Sequence, residues 1–169
     1  GAGMMDCKKA LTEAEGDFDR AQEIIREKGK LIASKRADRE ASEGVVVAKT
    51  VGSKAYMLCL ACETDFVAKN ESFVATANEI LDIAIKNDAA DIDALMAVKV
   101  GDHTVAEFVT DKSGQTGEKV EIAYYARIEA SYISTYVHFN GKLGTLIGLN
   151  AEVGEEVGKN VARQAATMA

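Results

Sequence analysis

Two apolar runs, Val45-Val46-Val47-Ala48-Lys49-Thr50 and Ala55 to Cys62, flank a Gly52-Ser53 step. Runs of this length bounded by a glycine turn read as strands, and so short a connection makes them an antiparallel hairpin. The chain then passes through Glu63-Thr64-Asp65-Phe66-Val67-Ala68-Lys69-Asn70-Glu71-Ser72-Phe73. From there Phe73, Ala77, Ile80, Leu81 and Ala84 recur at helical spacing. A strand therefore runs into a helix, with a carboxylate, an aromatic and the polar step Lys69-Asn70-Glu71 at the junction. Side chains at such junctions can project rather than pack. On pattern alone, however, Phe66 reads as a core residue capping the strand, because large aromatics are usually buried.

Ahead of the hairpin, Met4 to Glu15 reads as a helix with Cys7, Ala10, Leu11 and Ala14 on one face. Gly16-Asp17 breaks it, and Asp17 can cap a second helix. That helix carries Phe18, Ala21, Ile24 and Ile25 as its stripe, with Gly29 as its terminator. Two helices this short bury little by themselves, so a third is expected upstream of Gly1. Lys30 to Glu43, charged and mixed in sign, reads as a solvated linker or frayed helix. A domain boundary is placed at 43/44.

Beyond the focal stretch, Asp91 to Val98 and Asp102 to Ser113 read as short helices, each with an aspartate as N-cap. Val120 to Ala130 and Tyr132 to His138 read as strands. Asn140-Gly141 is a strong hairpin signal, for a type I′ turn with positive φ at both positions. Counting outward pairs Val137 with Gly144 and Ile133 with Gly148. Those glycines would admit a closely packed helix, supplied by Val157, Val161, Ala165 and Met168. The expected class is α+β: a small helical piece, residues 1–43, then a core, residues 44–169, of antiparallel sheet with helices on one face.

A net charge of −7 argues against direct binding of nucleic acid, which needs a surplus of lysine and arginine. No apolar run approaches the roughly 18 residues of a membrane helix. An odd cysteine count of 3 suggests reduced thiols and a cytoplasmic protein. Proline is absent where about 5% is usual. The chain opens on Gly1-Ala2-Gly3 against a helical pattern and stops at Ala169 inside another, as a fragment of a longer protein would.

Candidate chemistry is thin. Cys59-Leu60-Ala61-Cys62 is a CxxC, but residues three apart on a strand point to opposite faces, which suits neither a shared metal nor a disulfide. Gly154 to Asn160 is one residue short of a phosphate loop, lacks its Ser/Thr and carries two acids. Gly1-Ala2-Gly3 lacks the third glycine and preceding strand of a dinucleotide fingerprint. With 2 histidines a hydrolytic site has little to draw on, and no metal or cofactor is expected. His138 reads as a partly exposed strand end. Met4 and Met5 read first as helix-start packing, although adjacent methionines, one facing in and one out, would still make an adaptable contact spot.

Thr64-Asp65-Phe66-Val67 followed by Ala68-Lys69-Asn70 resembles the signature of the elongation factor Ts family, exchange factors for elongation factor Tu. Gly1-Ala2-Gly3-Met4-Met5-Asp6-Cys7-Lys8-Lys9-Ala10-Leu11 is similar to that family's second signature, in its ubiquitin-associated-like N-terminal domain. Tyr136, His138, Gly141, Lys142 and Gly144 resemble a third pattern, in the second half of its core. Phe139-Asn140-Gly141-Lys142 departs from the family, where a glycine-rich, arginine-containing turn is more usual.

The resemblance implies a guanine-nucleotide exchange factor with no covalent chemistry, working in the cytoplasm, or in an organelle matrix in a eukaryotic source. Its partner would be elongation factor Tu, GDP-bound and nucleotide-free. Phe66 would wedge in near the GTPase magnesium site, held by Asp65 within the Thr64–Val67 motif. His138 would approach the same region, and Met4 and Met5 would touch the nucleotide domain beside the base. The alternative is a ubiquitin-associated-like binding module without exchange activity.

Overall fold

The computed structural model describes residues 3–168. Gly1 and Ala2, which open the glycine step and the second signature, and Ala169 lie outside the described residues. The chain starts with α1 (Met4–Glu13) and α2 (Phe18–Lys35). Between them Glu15 and Gly16 take positive φ, and Asp17 caps α2 by accepting from the Arg20 N–H at 3.0 Å. Ala10, Ala14, Ala21 and Ile24 form a small separate core.

Gly29 does not end α2. It is buried in mid-helix, and the helix runs on six residues to Lys35. A terminator glycine works through positive φ, which Gly29 does not have; it sits instead where another helix crosses. The backbone of a later helix, α6 (Val105–Thr116), crosses α2 there. A Cβ placed on Gly114 of α6 would lie 2.4 Å from Gly29 Cα, inside any tolerable contact. A Cβ on Gly29 meets its nearest atom, the Thr110 carbonyl oxygen, at 3.5 Å, an ordinary contact.

Substitution at the two glycines is therefore expected to be unequal. Gly114→Ala gains about 1 kcal/mol of helix propensity but pushes backbone against backbone, for a net loss of about 1–3 kcal/mol. Gly29→Ala keeps the propensity gain and stays near wild type or above it. Urea midpoints for the two variants check this, and equal midpoints would mean that the helices do not cross at these residues.

The segment after α2 is not a free linker. Arg36 Nη1 donates to both carboxylate oxygens of Glu63, at 2.9 and 2.8 Å, and Lys119 Nζ donates to the carbonyls of Ala37 and Arg39 at 3.2 Å each. Partners so distant along the chain leave no local signature.

Next come β1 (Glu43–Val51) and β2 (Lys54–Cys62), an antiparallel hairpin in register from Val51↔Lys54 to Glu43↔Cys62. After the short α3 (Asp65–Ala68), α4 (Glu71–Lys86) lays Phe73, Ala77, Ile80, Leu81 and Ala84 against the sheet face built by Val45, Val47, Leu58 and Leu60. α5 (Ile92–Ala97) is capped by Asp91, which accepts from the Ala94 N–H at 2.8 Å. Asp102 does not cap the next helix. It sits in the turn of a small ribbon, β3 (Lys99–Val100) and β4 (His103–Thr104), beside Gly101 at φ 64°. Thr104 caps α6 instead, in a reciprocal capping box with Glu107. The Thr-x-x-Glu spacing satisfies two orphan N–H groups where a lone aspartate satisfies one.

β5 (Glu121–Glu129) pairs with the other side of β2, giving the strand order β1-β2-β5. Then β6 (Tyr132–Val137) and β7 (Gly144–Leu149) pair in the anticipated register, Val137↔Gly144 and Ile133↔Gly148. The connecting turn is not type I′, since only Gly141, at φ 67°, has positive φ. It closes through His138 N–H to Leu143 O and Gly141 N–H to His138 O, both 2.8 Å.

The strand glycines turn toward the first sheet rather than toward a helix. A Cβ on Gly144 would lie 2.7 Å from Val46 Cγ1, and one on Gly148 2.7 Å from Ala130 Cβ. The closely packed helix is α7 (Glu155–Met168), but it seats itself through Gly158, Ala162 and Ala166. Val157, Val161 and Met168 are exposed. Small residues win because the helix comes close enough for Thr145 Oγ1 to donate to the Ala162 carbonyl at 2.7 Å. The α+β class holds: helices cover one face of the three-stranded sheet, and the β6–β7 ribbon, backed by α7, covers the other.

Candidate functional site

The turn after β2 is held by carboxylates from both sides. Thr64, in extended conformation, caps α3. The N–H groups of Glu63 and Thr64 both donate to Glu118 Oε2 at 3.0 Å, and Thr64 Oγ1 donates to Glu118 Oε1 at 2.6 Å. In return the Glu63 carboxylate accepts from the Lys119 N–H at 2.6 Å and from Arg36. That backbone donor, and then the guanidinium, hold Glu63 below the usual carboxylate range. Asn70 caps α4 by accepting from the Ser72 N–H at 2.9 Å, so the four-residue α3 is pinned at both ends.

Pinning decides which side chain is left over. Ala68 is buried and Val67 packs on the core, and at 100° per residue Phe66 then points away from it. Its ring is 85% exposed. The reading of Phe66 as a core cap, drawn from pattern alone, is thereby excluded. Asp65, one residue earlier, pairs with Lys69 at 2.7 Å. The hydrogen bond and charge of Lys69, and more weakly the charge of Lys142, hold its carboxyl below the usual range.

Lys142 connects this turn with a second one. Its Nζ is 2.5 Å from the buried Oε2 of Glu43, whose ladder partner is Cys62, two residues before Thr64. The Val46 N–H donates to Gly141 O at 2.6 Å. The tip of the β6–β7 hairpin and the Thr64–Val67 turn thus share one end of the molecule. His138 is half-buried at that tip, with Nδ1 2.7 Å from the Tyr136 hydroxyl. Met4 and Met5 stand on α1, whose principal neighbour is α2. Neither faces in, against the reading as helix-start packing: both are exposed, at 87% and 65%, because α1 packs through Ala10 and Ala14.

Two side chains at this end escaped sequence reasoning. Glu118 follows the C-cap glycine of α6, where no periodicity marks a residue as a clamp. Phe139, 94% exposed beside His138, was visible as an aromatic next to an Asn-Gly turn, where polar residues are the rule. The CxxC thiols are not activated nucleophiles: the Cys62 Sγ only donates to the Thr64 carbonyl at 3.3 Å, one more tie on the turn. Cys62 is fully buried, and burial first, then the charge of Glu118, pushes it up to about 11. Burial raises Cys59 also, the opposite of an activated thiolate.

A family model described as Elongation factor TS matches residues 63–169, more than half of the chain. The chain belongs to the elongation factor Ts family. The matched segment takes in Thr64 to Val67, Glu118 and the whole His138–Lys142 tip. Similarity to curated relatives named Elongation factor Ts extends further. That of Bacteroides thetaiotaomicron is 49% identical over 169 residues, covering 99% of this chain and 51% of its own length. That of Phocaeicola vulgatus is 52% identical over 169 residues, with the same coverage of 99% and 51%. That of Christiangramia forsetii is 46% identical over 172 residues, 99% of this chain and 62% of its own. The chain spans about half the length of the first two of these elongation factor Ts relatives.

Proposed function

We propose that the chain forms the GTPase-facing part of a guanine-nucleotide exchange factor, which binds elongation factor Tu with GDP and speeds GDP release. The observation that carries this is Phe66: an aromatic ring left in solvent on a turn clamped by Glu118, Asn70 and the core. A rigid exposed aromatic beside an oriented carboxylate, Asp65, can enter a partner with little ordering cost. Wedged beside the magnesium and phosphates of a GTPase, it would displace ligands of both. His138, at the same end, is assigned a supporting contact, and Met4 and Met5 a separate one on α1. Residues 1–43 are assigned to a partial ubiquitin-associated-like domain and residues 44–169 to the exchange-factor core. The proposed site of action is the cytoplasm; among the described residues no helix is long and apolar enough to cross a membrane.

No covalent step is needed. A partner that weakens GDP binding must bind the GDP form more weakly by the same factor. Accelerating release by about ten-thousandfold takes near 5.5 kcal/mol of preferential transition-state binding, and hot-spot aromatics contribute roughly 2–4 kcal/mol each. Stopped-flow release of a fluorescent GDP from elongation factor Tu tests the reading. The expected result is a release rate that rises with the chain's concentration and saturates. An unchanged rate, with no binding to the nucleotide-free GTPase, would rule the reading out.

A further inference from the structure

We propose that Phe139 is a second aromatic anchor for the same GTPase, docking on its surface beside Phe66; this rests on the exchange-factor reading. Single exposed apolar residues are common and by themselves mean little. Three features set Phe139 apart.

The first is its cost. The ring is 94% exposed at a hairpin tip and has no share in either hydrophobic core. Nothing in the fold requires an aromatic there.

The second is its support. The Phe139 ring packs on the His138 ring, with centroids 4.4 Å apart. His138 is in turn bonded to the Tyr136 hydroxyl at 2.7 Å, and the Arg163 guanidinium of α7 lies 6.0 Å from the Tyr136 ring centroid. The turn itself is tied down by Asn140 Oδ1, which accepts from the Lys142 N–H at 3.0 Å, and by Gly141 O on β1. A ring held this way loses little freedom on binding, the property that makes an anchor efficient.

The third is its position. Lys142, three residues on, bridges to Glu43 at the start of β1, beside the turn that presents Phe66. Both exposed rings therefore leave the protein from the same end, each on a braced turn. Two anchors on rigid mounts also fix the angle at which a partner docks, which a lone ring does not. His138, lying against Phe139, becomes a positioning residue for that ring as well as a contact.

The test is titration of nucleotide-free elongation factor Tu with the unaltered chain, Phe139→Ala, Phe139→Leu and Phe66→Ala. Phe139→Ala is expected to raise Kd about tenfold, equivalent to about 1.4 kcal/mol, with an unchanged unfolding midpoint. Phe139→Leu should recover part of the loss, since a large apolar side chain still buries surface against the partner. If Phe139→Ala binds within twofold of the unaltered chain while Phe66→Ala binds weakly, Phe139 is no anchor and the exchange-factor reading survives. If the unaltered chain does not bind, both fall together.

Discussion

Phe66→Ala is expected to fold like the unaltered chain and to lose more than nine-tenths of its acceleration of GDP release. The two halves of that expectation have separate causes. The ring is 85% exposed, so its removal opens no cavity. Alanine is also the better helix former, and surface changes of this kind usually stay within about 0.5 kcal/mol. The caps by Thr64 and Asn70 and the clamp by Glu118 involve other atoms and persist. The activity loss comes from binding: tenfold is about 1.4 kcal/mol of transition-state stabilisation, the lower edge of what truncating a buried interface aromatic removes. Thermal unfolding and stopped-flow release, measured on one preparation, separate the two. A midpoint lowered by many degrees would make the ring structural. Intact exchange with an intact fold would make it idle.

What was legible beforehand follows from how far apart the interacting residues lie. The β1–β2 hairpin, the Asp17 and Asp91 caps and the register of β6 with β7 all depend on chemistry within a few residues, and each was readable. Asp102 was misread because a nearby Thr-x-x-Glu offered a better cap. Gly29, misread as a helix end, and its crossing partner Gly114 defeated sequence reasoning for another reason. A glycine that lets two backbones approach looks, in one dimension, the same as one that ends a helix. The stripe of α7 failed likewise: apolar size pointed to Val157 and Val161, whereas close approach selected Gly158, Ala162 and Ala166. At the candidate site the Thr64–Val67 motif was readable as a signature, but the exposure of Phe66 was not. That exposure depends on Val67 and Ala68 packing inward and on Glu118 reaching back across 54 residues.

Glu118 is where that dependence can be measured. Glu118→Ala leaves the N–H groups of Glu63 and Thr64 and the Thr64 hydroxyl without their acceptor. Hydrogen bonds to a charged group contribute roughly 1.5–3 kcal/mol each, and water entering a partly buried turn restores much of that. A net loss of about 2–3 kcal/mol follows, a fall in midpoint of roughly 4–12 °C for a chain of this size. The exchange rate should fall further than the folded fraction does, because a loosened turn must be re-ordered each time Phe66 docks. Glu118→Gln separates clamp from charge. Its amide oxygen can still accept from both N–H groups, so the midpoint and most of the exchange should return. The Cys62 thiol reports independently: with the Glu118 charge gone it should titrate below its present position of about 11, while burial still holds it above an ordinary thiol. If Glu118→Ala kept both its midpoint and its exchange rate, the turn would be rigid without the clamp. The orientation of Phe66 would then rest on the Thr64 and Asn70 caps and on the inward packing of Val67 and Ala68.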